Sequence, residues 1–280
     1  MDSETLQGGI EEAAQLHGEY RTIGLEQVQE LAQRFGSVRD VELAAMALEI
    51  VPARYARNLG TVGVGGQLKL LRASVAIVGL GGLGGYVAEA LARMGVGHLI
   101  LIDGDDFEEH NLNRQLFSTQ RNLGLQKVRA ACQRIAEVNS AVTTDGYAAV
   151  LTPENLPQLL AGADVVVDAL DRLPTRLVLQ DGARELGVPM VHGSIGGFLG
   201  QVMTIFPEDA GLHALYGSGD GLPDQGLEST LGTPSATPMA VAAWEAQEVV
   251  KILTDQGELL RGRLLIVDME TAICQILRLS

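Results

Sequence analysis

Residues 75–115 read VAIVGLGGLGGYVAEALARMGVGHLILIDGDDFEEHNLNRQ, and the order of signals in this stretch decides the fold. Val75-Ala-Ile-Val78 is a short apolar run of the kind buried in a parallel sheet. Gly79, Gly81 and Gly84 follow in G-x-G-x-x-G register, with an extra Gly82, and residues 86–94 then have helical character. Gly79 permits the tight turn and Gly81 lets a phosphate approach the backbone. Gly84 lets helix and strand pack closely, and the helix N-terminus offers free N–H groups to an anion. A second apolar run, residues 98–102, ends at Asp103. That is about twenty residues past the turn, where a nucleotide fold places the acid that holds the ribose hydroxyls. Strand, turn, helix, strand and acid in this order predict a nucleotide site, and so far the pattern suits NAD as well as ATP.

The residues that follow narrow the chemistry. Asn111-Leu-Asn-Arg-Gln115 and Gly124-Leu-Gln-Lys127 put fixed cations just beyond the ribose acid, where a nicotinamide dehydrogenase has no use for them. Arg54-Tyr-Ala-Arg57, Asp103-Gly-Asp105 and Asp168-Ala-Leu-Asp171 complete the set. From residue 54 onward the chain resembles the E1-like (ThiF, MoeB and HesA) adenylyltransferases, which include the activators of molybdopterin and thiamine biosynthesis. The resemblance implies an α/β fold with a Rossmann-like doubly wound sheet, mostly parallel, with antiparallel C-terminal strands. It implies Mg²⁺-dependent adenylation by ATP of the C-terminal carboxylate of a ubiquitin-like sulfur-carrier protein ending in Gly-Gly, carried out by a homodimer.

It also implies roles for individual residues. Arg114 and Lys127 meet the triphosphate, whose charge must be balanced as pyrophosphate leaves. Arg57 reaches the phosphates from the other subunit. Asp171 is associated with Mg²⁺ and turnover, Asp103 holds the ribose, and Asn111 and Gln115 organise the pocket. Asp105 belongs to the same pocket set, although its position also suits a turn or cap residue. Residues 208–233, rich in glycine, correspond to the loop that crosses over the substrate tail and are expected to be mobile without a partner.

Three departures accompany the resemblance. Many relatives hold a structural zinc with two Cys-x-x-Cys pairs, whereas this chain has only Cys132 and Cys274, and its histidines (17, 98, 110, 192 and 213) lack ligand spacing. A Cys₄ zinc site within one chain is therefore not expected. Where thioester-forming relatives carry a cysteine, Glu228 or Ser229 stands, so the reaction is expected to stop at the acyl-adenylate. Where relatives often have Asp-Asn, this chain has Asp171-Arg172, and Thr175-Arg176 restores the register.

Composition bounds the rest. A chain of 280 residues with 46% apolar content and 34 glycines fits an α/β protein with a substantial core. It has no uncharged apolar stretch long enough to span a bilayer, and its acidic start does not read as a signal peptide. Two cysteines suit a reducing cytoplasm. A net charge of −15 argues against nonspecific nucleic-acid binding. Residues 1–52 read as a helical appendage, with apolar positions at helical spacing over 25–35 and 38–50, Gly36 as a stop and Ser37 as an N-cap. Residues 28–36 are similar to the opening of a helix-turn-helix, but no basic second helix follows. Residues 53–280 form the adenylation domain. The rival readings are E1-like adenylation of a peptide, small molecule or modified tRNA base, a NAD(P)-dependent oxidoreductase, and a non-catalytic nucleotide-gated scaffold.

Overall fold

A computed structural model describes residues 3–217 and 228–279. Residues 3–52 hold helices α1 (Ser3–Ala13), α2 (Leu25–Phe35) and α3 (Val38–Ala47), with strands β1 (Gln15–His17), β2 (Tyr20–Ile23) and β3 (Ile50–Pro52) in one small sheet of order β1-β2-β3. The helix boundary at Ser37 is a complete capping box. The Asp40 amide donates to Ser37 Oγ at 3.1 Å, and Asp40 Oδ2 accepts from the Ser37 amide at 3.1 Å. Beside its three helices the appendage carries this sheet, whose strands of three or four residues are too short to display an alternating pattern. Ile10, Ile23, Val28, Leu31, Val41 and Ile50 pack into an apolar cluster of their own.

The remainder alternates strand and helix. A 3₁₀ turn at Ala53–Tyr55 and helix α4 (Leu59–Arg72) lead into β4 (Ser74–Val78), α5 (Gly84–Met94) and β5 (His98–Ile102). After them come α6 (Lys127–Val138), β6 (Thr143–Tyr147), α7 (Leu156–Leu159), β7 (Val165–Asp168) and α8 (Leu173–Glu185). The hairpin β8 (Met190–Gly196) and β9 (Leu199–Ile205) is followed by α9 (Leu212–Tyr216), α10 (Glu228–Leu231) and α11 (Ala236–Thr254). β10 (Arg263–Asp268) and β11 (Ile273–Arg278) close the chain. The expected crossover loop is therefore visible only at its flanks, and residues 218–227 of it lie outside the described residues.

The main sheet has eight strands in the order β11-β10-β9-β8-β7-β4-β5-β6. From β6 to β8 neighbours run parallel, and β9, β10 and β11 are antiparallel to theirs. This is the doubly wound, mostly parallel sheet with antiparallel C-terminal strands that the sequence predicts. The inner strands β4, β5 and β7 are buried on both faces, so they read as continuous apolar runs. Val75 and Ile77 of β4 pack into one core with residues of α5, α6 and α11, while Ala76 and Val78 pack into another with residues of α7 and α8.

The chain leaves β4 for β5 on one side and returns to β7 on the other. A crevice opens where the order reverses, at the carboxyl ends of those strands. The glycine turn sits at its head. A Cβ on Gly84 would lie 1.8 Å from the Gly79 carbonyl oxygen, so only glycine lets α5 start there. α6 begins only at Lys127, because Gly124 has φ of +79° and Gln126 bridges to Asp106.

Candidate functional site

One cavity of about 380 Å³ occupies the crevice, within the size range of small-molecule sites. Its walls bring together the glycine turn (Gly79, Gly81, Gly82), the end of β5 (Asp103, Gly104, Asp105), Arg114, Gln115 and Lys127. The opposite wall comes from the segment after β7, including Asp171, Arg172, Thr175 and Arg176, with Ile195 of β8 and Thr233. Residues separated by more than a hundred positions in sequence thus meet, as the doubly wound topology requires.

Asp103 is buried, and each carboxylate oxygen has a backbone partner. Oδ2 accepts from the Leu80 amide at 2.7 Å and Oδ1 from the Asp105 amide at 2.8 Å. Burial raises its pKa above the ordinary aspartate value, with Lys127 opposing. Lys127 is itself buried; its Nζ lies 2.7 Å from Asp105 Oδ2 and 3.9 Å from Asp103 Oδ1. The Asp105 side chain is 71% exposed, so its role here is to hold the lysine at the cavity edge.

Arg114 Nη1 donates to the His110 carbonyl at 3.0 Å and to Asn113 Oδ1 at 2.8 Å. Burial lowers its pKa and the nearby Asp171 carboxylate works against that. Gln115 is buried and lines the cavity, and its Oε1 has no protein partner. Asn111 stands behind that wall. Its Oδ1 accepts from the Glu108 amide at 3.0 Å, and its carbonyl accepts from the amides of Arg114 at 3.1 Å and Gln115 at 2.9 Å. It shapes the turn that carries the two lining residues.

The two arginines near the start of the domain separate clearly. Arg54 is committed to structure, 3.3 Å from the buried Glu42 and hydrogen-bonded to Asn139. Arg57 is exposed and lies outside the cavity of its own chain. Cys132 is on α6 and partly buried, Cys274 is exposed on β11, and neither lines the cavity. Among the described residues no helix is long and apolar enough to cross a membrane.

Sequence reasoning did not assign Thr175, Arg176, Ile195 or Thr233 to the site. Arg176 was noted only as restoring a register. Its position on α8, five residues past Asp171, was the available signal.

The residues present fit a nucleoside triphosphate. α5 starts without a side-chain cap, which leaves amides at its start to an anion, and four cations (Arg114, Lys127, Arg172 and Arg176) and three carboxylates (Asp103, Asp105 and Asp171) line the same cavity. The ThiF family profile matches residues 55–280. The SAMP-activating enzyme E1 of Haloferax volcanii is 37% identical over 220 residues, which cover 77% of this chain and 80% of that protein. The adenylyltransferase and sulfurtransferase MOCS3 of Drosophila sechellia is 35% identical over 240 residues. That match takes in 81% of this chain and 51% of the relative, so the chain spans about half of the MOCS3 length. Among solved structures, Escherichia coli MccB with ATP has a TM-score of 0.70 at 19% identity, covering 91% of this chain and 79% of that one. MccB with MccA-N7isoASN has a TM-score of 0.71 at 22% identity, covering 81% and 72%. At these identities the likeness to MccB concerns the fold.

Proposed function

The chain belongs to the ThiF family, and from that membership we propose that it adenylates the C-terminal carboxylate of a ubiquitin-like sulfur-carrier protein with ATP. A carboxylate oxygen of the substrate forms a bond to the α-phosphorus, the bond to the bridging oxygen breaks, and pyrophosphate leaves with that electron pair. The observation that carries this reading is the single cavity shared by the glycine turn, Arg114, Lys127 and Asp171.

Each residue has a task there. The amides at the start of α5 and the glycine turn receive phosphate oxygens. Arg114 and Lys127 offset the charge that grows on the departing pyrophosphate, and Lys127 exchanges part of its contact with Asp105 for that role. Asp103 takes the ribose hydroxyls, using the lone pairs its backbone partners leave free, and Gln115 Oε1 accepts a donor from the nucleotide. Asp171 would help to hold Mg²⁺, which would supply Lewis-acid charge at the phosphates. Arg57, exposed in its own chain, serves the partner's cavity in a homodimer. In this reading the reaction ends at the acyl-adenylate, and the positions of Cys132 and Cys274 away from the cavity lining support it. No zinc takes part in holding the fold.

The sulfur-carrier substrate follows the relatives at 35–37% identity. Adenylation of a peptide is the second reading, favoured by the shared fold with MccB, which has been solved with MccA. Exchange of labelled pyrophosphate into ATP tests both. We expect exchange with a small ubiquitin-like protein ending in Gly-Gly, and none when that end is amidated. Calorimetric titration with ATP–Mg²⁺ and with NAD⁺ runs beside it, and binding of NAD⁺ alone would overturn the adenylation reading.

A further inference from the structure

A second group of charged side chains runs inward from the cavity wall at Arg176 to Asp168 and His192, and the residue roles given above do not use it. Asp168, the last residue of β7, and His192 of β8 are fully buried, and Arg176 of α8 is 5% exposed. Asp168 Oδ2 lies 2.7 Å from His192 Nδ1 and 3.7 Å from Arg176 Nη1. Burial opposes ionisation of Asp168, but Arg176 and the His192 hydrogen bond outweigh it and hold the carboxyl below the usual aspartate range. Burial holds His192 below its usual value against the pull of Asp168. The three side chains are in mutual contact, since Arg176 Nη1 also lies 3.2 Å from His192 Nδ1.

What the set grips is one residue, Leu170, through the two peptide groups that flank it. The Leu170 amide donates to Asp168 Oδ1 at 3.1 Å, and the Leu170 carbonyl accepts from Arg176 Nη2. Arg176 Nη1 also donates to the Gly193 carbonyl of β8 at 2.9 Å. Just before it, the Ala169 amide donates to the carbonyl of Val78, the last residue of β4, at 3.0 Å. The backbone of Asp171 thus begins at a carbonyl fixed by a buried guanidinium. Apolar side chains would fill the space between α8 and the sheet without the desolvation that a buried ion pair requires. The charged set stands instead where its hydrogen bonds end one residue short of an exposed carboxylate in the cavity.

We propose that Arg176 is a positioning residue for the reaction: by holding Leu170 it fixes where Asp171 presents its carboxylate. The role in turnover rests on the adenylation reading, whereas the grip on Leu170 does not.

Arg176→Lys keeps a cation beside Asp168 and removes the planar fork that spans two carbonyls. Amides of residues 169–172 should then exchange with deuterium at least about tenfold faster than in the parent chain. Affinity for a non-hydrolysable ATP analogue should stay within about twofold, while kcat for pyrophosphate exchange falls about tenfold or more and half-maximal rate needs more Mg²⁺. Unchanged deuterium exchange overturns the grip whatever the reaction is. Loosened amides with kcat and Mg²⁺ dependence intact overturn the positioning role. A parent chain that binds ATP without exchanging pyrophosphate sinks the adenylation reading and the role in turnover with it, and the deuterium result still decides the grip. If Arg176→Lys does not fold, the parent chain decides. There the Leu170 amide must exchange as slowly as those of β7, and exchange at the rate of an exposed loop overturns the proposal.

Discussion

Asp168 ends β7 opposite Val78 of β4, and Asp103 follows Ile102, the residue opposite Val78 on β5, so the two acids stand one step apart in register at the carboxyl ends of the strands that flank β4. Their surroundings separate them. Burial raises the pKa of Asp103, and its nearest cation, Lys127, is closer to the exposed Asp105 than to Asp103. Asp168 is enclosed by His192 and Arg176, and those partners hold its carboxyl low despite complete burial. An acid whose cation is shared with a solvent-facing neighbour stays available to a ligand. One enclosed by its own partners is committed to the protein.

The strongest way to break this comparison is to neutralise each acid in turn. Asp168→Asn leaves Arg176 buried without its counter-charge and should cost about 3–5 kcal/mol of stability in urea unfolding. Asp103→Asn should cost under about 1.5 kcal/mol, yet weaken binding of an ATP analogue by about tenfold. Equal stability losses would erase the distinction. The Asp168 pKa is depressed, so its contribution is present above the ordinary carboxylate range and is lost as pH falls through its folded value.

Glu245 of α11 sharpens the contrast from the opposite face of the sheet. Its carboxyl lies over Gly193, where an added Cβ would come within 2.3 Å of it, and both oxygens lack a protein partner. Burial, and then the charge of Asp168, raise its pKa well above the ordinary 4.5, with Arg176 opposing. A raised carboxyl stabilises the fold fully below its unfolded value, and that contribution is lost as pH rises toward the folded value. Other charged groups around α11 are Glu248 and Lys251, which pair with each other. Glu245→Gln should therefore gain stability over the parent chain by about 1.4 kcal/mol per pH unit between the two pKa values. Unfolding midpoints measured across that interval would show a flat difference if Glu245 already ionises normally.

The smallest effects are expected at the thiols. Cys132→Ser and Cys274→Ser, and treatment with a zinc chelator, should each leave pyrophosphate exchange within about twofold of the untreated parent. A greater fall with either serine would bring a thiol into the chemistry.

Much of this architecture was legible because parallel strands buried on both faces announce themselves as apolar runs. β5 and α2 appear with the bounds their residues predict. Elements at the margins were not legible. β6 is the polar segment TTDGY at a sheet edge and has no apolar run to betray it. α4 is interrupted by glycines and kinked at Gly63, so its residues carry little helical signal. In the site, the glycine turn and the polar residues after β5 could be read together because they are close in sequence. The Arg176 contacts join α8 to two strands, and no local pattern encodes such a join. Asn111 shows the complementary limit, since a motif residue can serve the backbone of its loop and never reach the cavity.

The reversal of strand order beside β4 also has a consequence in time. The glycine turn and the cations at 114 and 127 can assemble from one continuous stretch of chain. The wall that carries Asp171 must wait until β7 docks on the far side of β4, a pairing of high sequence separation and hence a slow one. A ligand that touches both walls meets its full site only after that event. By mass action it then favours the finished sheet over every partial one. The nucleotide would serve this chain twice, as a reactant and as a check that synthesis and folding have run to completion.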